Sequence, residues 1–206
     1  MFEIEQKLYM DGHKFIACID EVGRGCLYGD VVAGAVILPC GFTIEGVKDS
    51  KKLSEKKREE LYDVIKQEAI AYGIGVVGPE VIDRINIKQA TRLAMKLALN
   101  NLRDNDGNKF TPSFILVDAE VIDSEITQKA VIDGDNLVHG ISAASILAKV
   151  FRDRMCQEWN HVHPGYDLAK NKGYGTKSHR EALIKLGSTE RHRKSFLGKI
   201  MNETRK

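Results

Sequence analysis

Cysteine is scarce in this 206-residue chain, and long apolar runs are missing altogether. The four cysteines, Cys18, Cys26, Cys40 and Cys156, stand at no zinc-ligand spacing, and three lie in apolar or Gly-rich surroundings where a thiol packs as a small hydrophobe. They are expected to be reduced and structural, which excludes a disulfide scaffold and a zinc finger. No stretch approaches the roughly 20 uncharged apolar residues of a membrane span. The segment from Met1 to Gln6 is too acidic and too short for a secretory signal. A cytoplasmic protein with no membrane partner is expected. Internal repeats and low-complexity segments are also absent.

A chain of this length with 43% apolar residues can bury one substantial core, and is a little short for two full domains. One domain spanning 1–206 with a terminal extension is the expectation. The net charge of +2 conceals an asymmetry. From Lys170 to Lys206 there are eleven Lys or Arg against three Glu, a net of +8, which leaves −6 for the rest. An acidic body suits cations and a basic end suits a polyanion.

Apolar runs at Lys14–Asp20 and Val31–Leu38, separated by a Gly-punctuated turn, predict two adjacent buried strands. Ser54 opens a helical pattern in which Leu61, Ile65 and Ala69 share a face, with Gly73 as its stop and Ile74–Val77 as a third strand. A helix is predicted over Asn86–Leu102, strands over Phe114–Val117 and Ala130–Ile132, and helices over Ile141–Asn160 and Ser178–Leu186. Together these give an α/β layer structure around a mixed central sheet of about five strands flanked by helices, followed by a basic helical extension over about 160–206.

Carboxylates recur at the ends of the apolar runs: Asp20 and Glu21, Asp118, and Asp135. Like charges crowded together raise one another's pKa and oppose folding, so such a cluster implies a cation. Oxygen donors suit Mg²⁺ or Mn²⁺, and two such ions are the usual means of stabilising both the attacking and the leaving oxygen in phosphodiester hydrolysis. Adjacent strand residues point to opposite faces, so bringing Asp20 and Glu21 together requires the turn at Gly23 to redirect one of them. Taken singly, each acid is more often a turn former or a cap than a ligand.

Seven blocks carry the reading further: IDEVGRG (Ile19–Gly25), DSKKLSEKKREELY (Asp49–Tyr62), IDRINIKQAT (Ile82–Thr91), ILVDAEVI (Ile115–Ile122), GDNLVHGISAASILAKVFRDRM (Gly134–Met155), KGYGTKSH (Lys172–His179) and HRKSF (His192–Phe196). In content and order they resemble ribonuclease HII over almost the whole chain. The resemblance implies a ribonuclease H-like fold and an endonuclease that cuts the RNA strand of RNA:DNA hybrids. It also implies cleavage 5′ to ribonucleotides embedded in duplex DNA, leaving 5′-phosphate and 3′-hydroxyl ends. Carried over, Asp20, Glu21, Asp118 and Asp135 hold divalent metal, two Mn²⁺ or Mg²⁺ ions with substrate. Gly23, Arg24 and Gly25 read the ribose 2′-OH and a phosphate, and Tyr174 packs on the deoxyribose after the junction. Lys51 contacts a phosphate, and Arg193, with its basic neighbours, adds affinity for the backbone. His179 and His192 are read as structural or phosphate-contacting. A monomer that removes ribonucleotides from DNA is expected.

The chain departs from the family pattern at Cys26 and Asp30, where proline is common, and at Ala119, Asp133 and Asn171, where glycine, lysine and histidine are common. An anion at Asp133 is expected to make metal binding tighter or less selective and to weaken substrate binding. Three alternatives remain: a ribonuclease HIII-like enzyme, another ribonuclease H-like nuclease acting on branched or pure DNA, and a nucleic-acid-binding protein with a degenerate site. The four carboxylates argue against the last.

Overall fold

A computed structural model describes residues 3–47 and 53–203, the side chains of 199 and 201–203 aside. After helix α1 (Glu3–Met10) the chain runs through β1 (Ile16–Val22) and returns antiparallel as β2 (Val31–Ile37). Helix α2 (Glu55–Glu68) leads to β3 (Ala71–Val77), antiparallel to β2, and α3 (Pro79–Ile85) and α4 (Ile87–Asn100) bring the chain to β4 (Phe114–Asp118). There follow β5 (Gln128–Val131), α5 (Gly134–Leu137), the long α6 (His139–Val162), α7 (Leu168–Asn171), α8 (Lys177–Leu186) and α9 (Lys194–Glu203). The sheet order is β3-β2-β1-β4-β5, with β4 parallel to both neighbours. The anticipated mixed five-stranded sheet is therefore present.

Strand β1 reads as a near-continuous apolar run because both of its faces are covered. Ile16 and Cys18 join Leu116 and Val36 in a core with Ile141, Ala144 and Leu147 of α6. Ala17 and Ile19 join Ile115 and Val117 in a second core with Ala90, Ala94 and Ala98 of α4. The period-2 alternation thus assigns even-numbered residues of β1 and β4 to the α6 side and odd-numbered ones to the α4 side.

The structure corrects several expected boundaries. The helix expected to stop at Gly73 ends at Glu68, with Ala69 already extended, and Gly73 lies inside β3 opposite Ala35. A methyl group at Gly73 would sit 2.4 Å from the Ala98 carbonyl oxygen, so this glycine lets α4 pack close to the sheet. Asn86 is a joint between two helices: at φ 68° it ends α3, and its side chain accepts from the Gln89 N–H to cap α4. Helices α1, α3, α5, α7 and α9 lay outside the sequence expectation; the last begins inside the HRKSF block.

A third, smaller core joins the end of the chain to the loop after β1. Leu27 and Tyr28 pack with Cys156 and Trp159 of α6, Leu168 of α7, Leu183 of α8 and Leu197 of α9. Residues 191–193 run beside that loop, with the Gly29 N–H donating to Arg191 O and the Arg193 N–H to Leu27 O, both at 2.9 Å. Cys18, Cys26 and Cys156 are buried and in no disulfide, as expected of structural thiols, whereas Cys40 is exposed.

Candidate active site

Register places the carboxylates. Ile19 of β1 pairs with Val117 of β4, so Asp20 and Asp118 occupy the next rung side by side, both on the α6 side. Strand β1 continues through Val22, so no turn redirects Asp20 or Glu21 and the alternation between them persists. Convergence comes instead from Asp20 folding back: its Oδ1 accepts the N–H of Glu21 at 2.7 Å. One oxygen from each of Asp20, Glu21 and Asp118 then lies within 4.8 Å of the others. Asp135 is not part of that trio. It is buried in the first turn of α5, with Asn136 Nδ2 donating to its Oδ1 at 3.2 Å and Ser142 Oγ to its carbonyl oxygen at 2.5 Å. The residue before it is tied to the trio, the Gly134 N–H donating to Asp118 Oδ1 at 2.8 Å.

The electrostatics are those of an anion pocket only partly countered by Arg24. Burial, then Glu21 and Asp118, raise the Asp20 carboxyl well above its ordinary range, against hydrogen bonds from Ser145 and the Glu21 N–H. Burial also raises Glu21, partly offset by Arg24, whose Nη1 lies 3.2 Å from Glu21 Oε1. The second oxygen of Glu21 is buried without a hydrogen-bond partner. An orphaned carboxylate oxygen beside two further hard oxygen donors fits a divalent cation.

Glu120 was not anticipated. It is buried, lies 3.8 Å from Arg24 Nη1, and accepts from Arg92 Nε of α4 at 2.9 Å. Before it, Ala119 holds φ 48°, a left-handed conformation in which a Cβ is strained, consistent with the glycine common at this position. Asp133 is exposed and left-handed (φ 54°), and its carbonyl accepts from Asn136 and Leu137.

The Gly-Arg-Gly turn lies immediately beyond β1. Gly23 is at φ 90°, and a Cβ there would fall 2.3 Å from Arg152 Nε, so glycine is required. Arg152 is fully buried in α6 and was missed. Its Nε donates to Asp30 O at 2.9 Å, Nη1 to Lys172 O at 2.7 Å and Nη2 to Tyr28 O at 3.1 Å. A signal existed: with Ala148 and Cys156 it forms an i, i+4 series, placing a charge on the buried stripe of a helix.

Arg193, expected at the surface on the nucleic-acid backbone, is also fully buried. Its Nε donates to Gly29 O and its Nη1 to Arg24 O, both at 2.8 Å, so it braces the turn from beneath and is no exposed phosphate contact. Tyr174 does lie beside the turn. It is 41% exposed, Cys26 bridges to it in antiparallel fashion, and its ring edge is the group nearest the Gly25 Cα face. Asn171, where histidine is common, ties the Tyr174 turn down by accepting from the Gly173 N–H at 2.8 Å and donating to Tyr166 O at 2.6 Å. His179 and His192 are buried, which leaves the structural half of their expected role. Lys51 lies outside the described residues.

Comparisons with known proteins agree on one family and one fold. The family model described as Ribonuclease HII matches residues 17–199. The chain is 59% identical over 199 residues to the Ribonuclease HII of Alkaliphilus oremlandii (strain OhILAs), covering 97% of this chain and 98% of that protein. Among solved structures, the ribonuclease H2 of Pyrococcus horikoshii OT3 is similar with a TM-score of 0.74 and 28% identity, over 93% of this chain and 99% of that one. The Aquifex aeolicus RNase H3 structure shares the fold at a TM-score of 0.62 and 18% identity, with 94% and 79% of the two chains covered.

Proposed function

Because the chain belongs to the ribonuclease HII family, we propose that this metal-dependent ribonuclease cuts 5′ to ribonucleotides embedded in duplex DNA as well as within RNA:DNA hybrids. It leaves 5′-phosphate and 3′-hydroxyl ends and serves to remove ribonucleotides from DNA. The observation that carries the reading is adjacency: the trio of carboxylates and the Gly-Arg-Gly turn share Arg24, which touches Glu21, while Tyr174 lies against Gly25.

Asp20, Glu21 and Asp118 would hold divalent cations, Mg²⁺ or Mn²⁺, with Asp135 as a further ligand from the first turn of α5. Two such ions supply positive charge to the attacking and leaving oxygens of an in-line displacement. The protein's own groups do the rest. Arg24 is exposed and leaves Glu21 to meet the phosphate next to the ribose as the pocket fills. Gly23 and Gly25 permit backbone approach to the 2′-OH, the group that distinguishes RNA from DNA. Tyr174 presents its exposed ring to the deoxyribose after the junction. Arg193 contributes through the turn it supports. Lys51 is assigned a phosphate on the sequence pattern alone. The whole chain acts as a monomeric catalytic unit in the cytoplasm, with the part from about residue 160 onward binding substrate.

The test is cleavage of a DNA duplex carrying one ribonucleotide, with Mg²⁺, Mn²⁺ or EDTA, for the wild type and Asp20→Asn, with products mapped to single nucleotides. Metal-dependent cutting 5′ to the ribonucleotide, lost in the variant, is expected. Binding without cutting in either metal, or equal cutting of all-DNA controls, would overturn it.

A further inference from the structure

We propose that His179 and His192 form a hydrogen-bond chain of fixed proton order whose task is to position Tyr174, making both histidines positioning residues for recognition of a single embedded ribonucleotide. The inference rests on the reading of Tyr174 given above.

The chain starts at Thr189. Its backbone N–H can only donate, and it lies 2.9 Å from His192 Nδ1, so Nδ1 must accept. A neutral His192 then carries its proton on Nε2, which points at His179 Nε2 at 3.2 Å. His179 Nε2 must therefore accept, which places the His179 proton on Nδ1, 3.0 Å from the Tyr174 carbonyl oxygen. Thr189 Oγ1 also lies 3.0 Å from His192 Nδ1 and can act either way, but the backbone N–H cannot reverse and so fixes the direction. The order runs Thr189 N–H to His192, His192 to His179, and His179 to Tyr174 O.

Burial keeps both rings in the neutral form this order requires. His179 and His192 are 0% and 1% exposed, enclosed by the rings of Tyr28 and Tyr166 at 4.7 to 6.4 Å between centroids. The chain ends on the residue whose side chain is exposed beside Gly25. The same carbonyl also accepts the Thr176 N–H at 2.8 Å, and Thr176 caps α8 through the His179 N–H, so the Tyr174 turn, the start of α8 and the His192 segment form one hydrogen-bonded unit. Asn171, the bridge to Cys26 and Arg152 hold the turn from its other side, so the histidine chain supplies the restraint on the α8 side, at the Tyr174 carbonyl itself.

Two measurements test this. Imidazole ¹⁵N spectra of the wild-type protein should show His192 as the Nε2–H tautomer and His179 as the Nδ1–H tautomer; the opposite assignment for either ring overturns the chain. Steady-state cleavage should then be compared on a single-ribonucleotide duplex and on a continuous RNA:DNA hybrid, whose cut strand has no deoxyribose for Tyr174 to meet. His179→Leu should lower the ratio of kcat/KM on the first substrate to that on the second by about tenfold, mainly through KM, since small misplacements of a contact group cost up to about a hundredfold. His179→Asn, whose amide can still donate to the Tyr174 carbonyl, should restore most of the ratio. Equal losses on both substrates, or no rescue by asparagine, overturn the inference and indicate a packing role only. Tyr174→Ala separates the two levels: an altered ratio there beside an unaltered ratio in His179→Leu refutes the chain alone. An unaltered ratio in Tyr174→Ala refutes the reading of Tyr174 and the purpose of the chain with it.

Discussion

Two neighbouring regions at the end of β1 solve opposite problems. The carboxylate pocket concentrates negative charge, leaves a buried Glu21 oxygen without a partner, and pushes Asp20 and Glu21 toward protonation. The shelf beside it, built on the loop after Gly23, contains two fully buried arginines, and five of their donor groups are spent on the carbonyls of Arg24, Tyr28, Gly29, Asp30 and Lys172. The pocket's unmet group is an anion's oxygen, whereas the shelf is largely satisfied and its own unmet groups include a cation's nitrogen, the buried Nη2 of Arg193. On the proposed function, the pocket can be left strained because cations would relieve it, whereas a surface that is to discriminate one hydroxyl must already hold its shape.

The strongest way to break the comparison is Asp20→Asn. It should abolish cleavage, by about a thousandfold or more. In EDTA it should also raise stability by about 1 to 2 kcal/mol, because a buried like-charged carboxylate is removed. Activity assays beside urea unfolding without metal check both, and a destabilised variant would show that the pocket is not self-repelling. Arg152→Met should do the reverse, costing about 4 kcal/mol in urea unfolding by taking the guanidinium donor from the carbonyls of Tyr28 and Asp30 and leaving that of Lys172 with only the Cys26 thiol. A loss below 1 kcal/mol would mean that the shelf does not depend on it.

The third expectation concerns pH. Burial, with help from His179 and His163, holds His192 down to about 4 from its usual 6.5. The unfolded chain therefore binds more protons between those values, so stability is fully present above about 6.5 and is lost as pH falls toward 4. Between pH 7 and 5 this amounts to about 2 kcal/mol. The raised carboxyls of Asp20 and Glu21 act in the opposite sense, so the term should be read as the difference between wild type and His192→Asn across the pH series. Parallel curves would show that the ring is not held neutral by the fold. The smallest effect is Ala119→Gly, which relieves the left-handed strain at φ 48° and should stabilise by under about 1 kcal/mol. Thermal unfolding would register it, and destabilisation would sink the strain argument.

The sheet was legible in the sequence because strands buried on both faces leave continuous apolar runs, and β1, β2 and β4 were each bounded within a few residues. Gly73 misled because a glycine that admits α4 looks in sequence like one that ends a helix. Helices α5 and α7 are single turns set by neighbouring loops, too short for any periodicity. In the site, motif order pointed to the acids and to Gly-Arg-Gly, while the fold-back of Asp20 depends on a side-chain rotamer that no pattern encodes. Arg193 was misplaced for a general reason. Charge counting treats every basic residue as surface, and only packing against the loop shows that this one points inward.

The pairing of residues 191–193 with the loop after β1 has a temporal consequence. Arg193 meets Gly29 across 164 positions of chain, so during synthesis the acids of β1 and β4 emerge long before the segment that braces the turn. The Gly-Arg-Gly turn is therefore made early and stays without its Arg193 brace until nearly the whole chain has been synthesised.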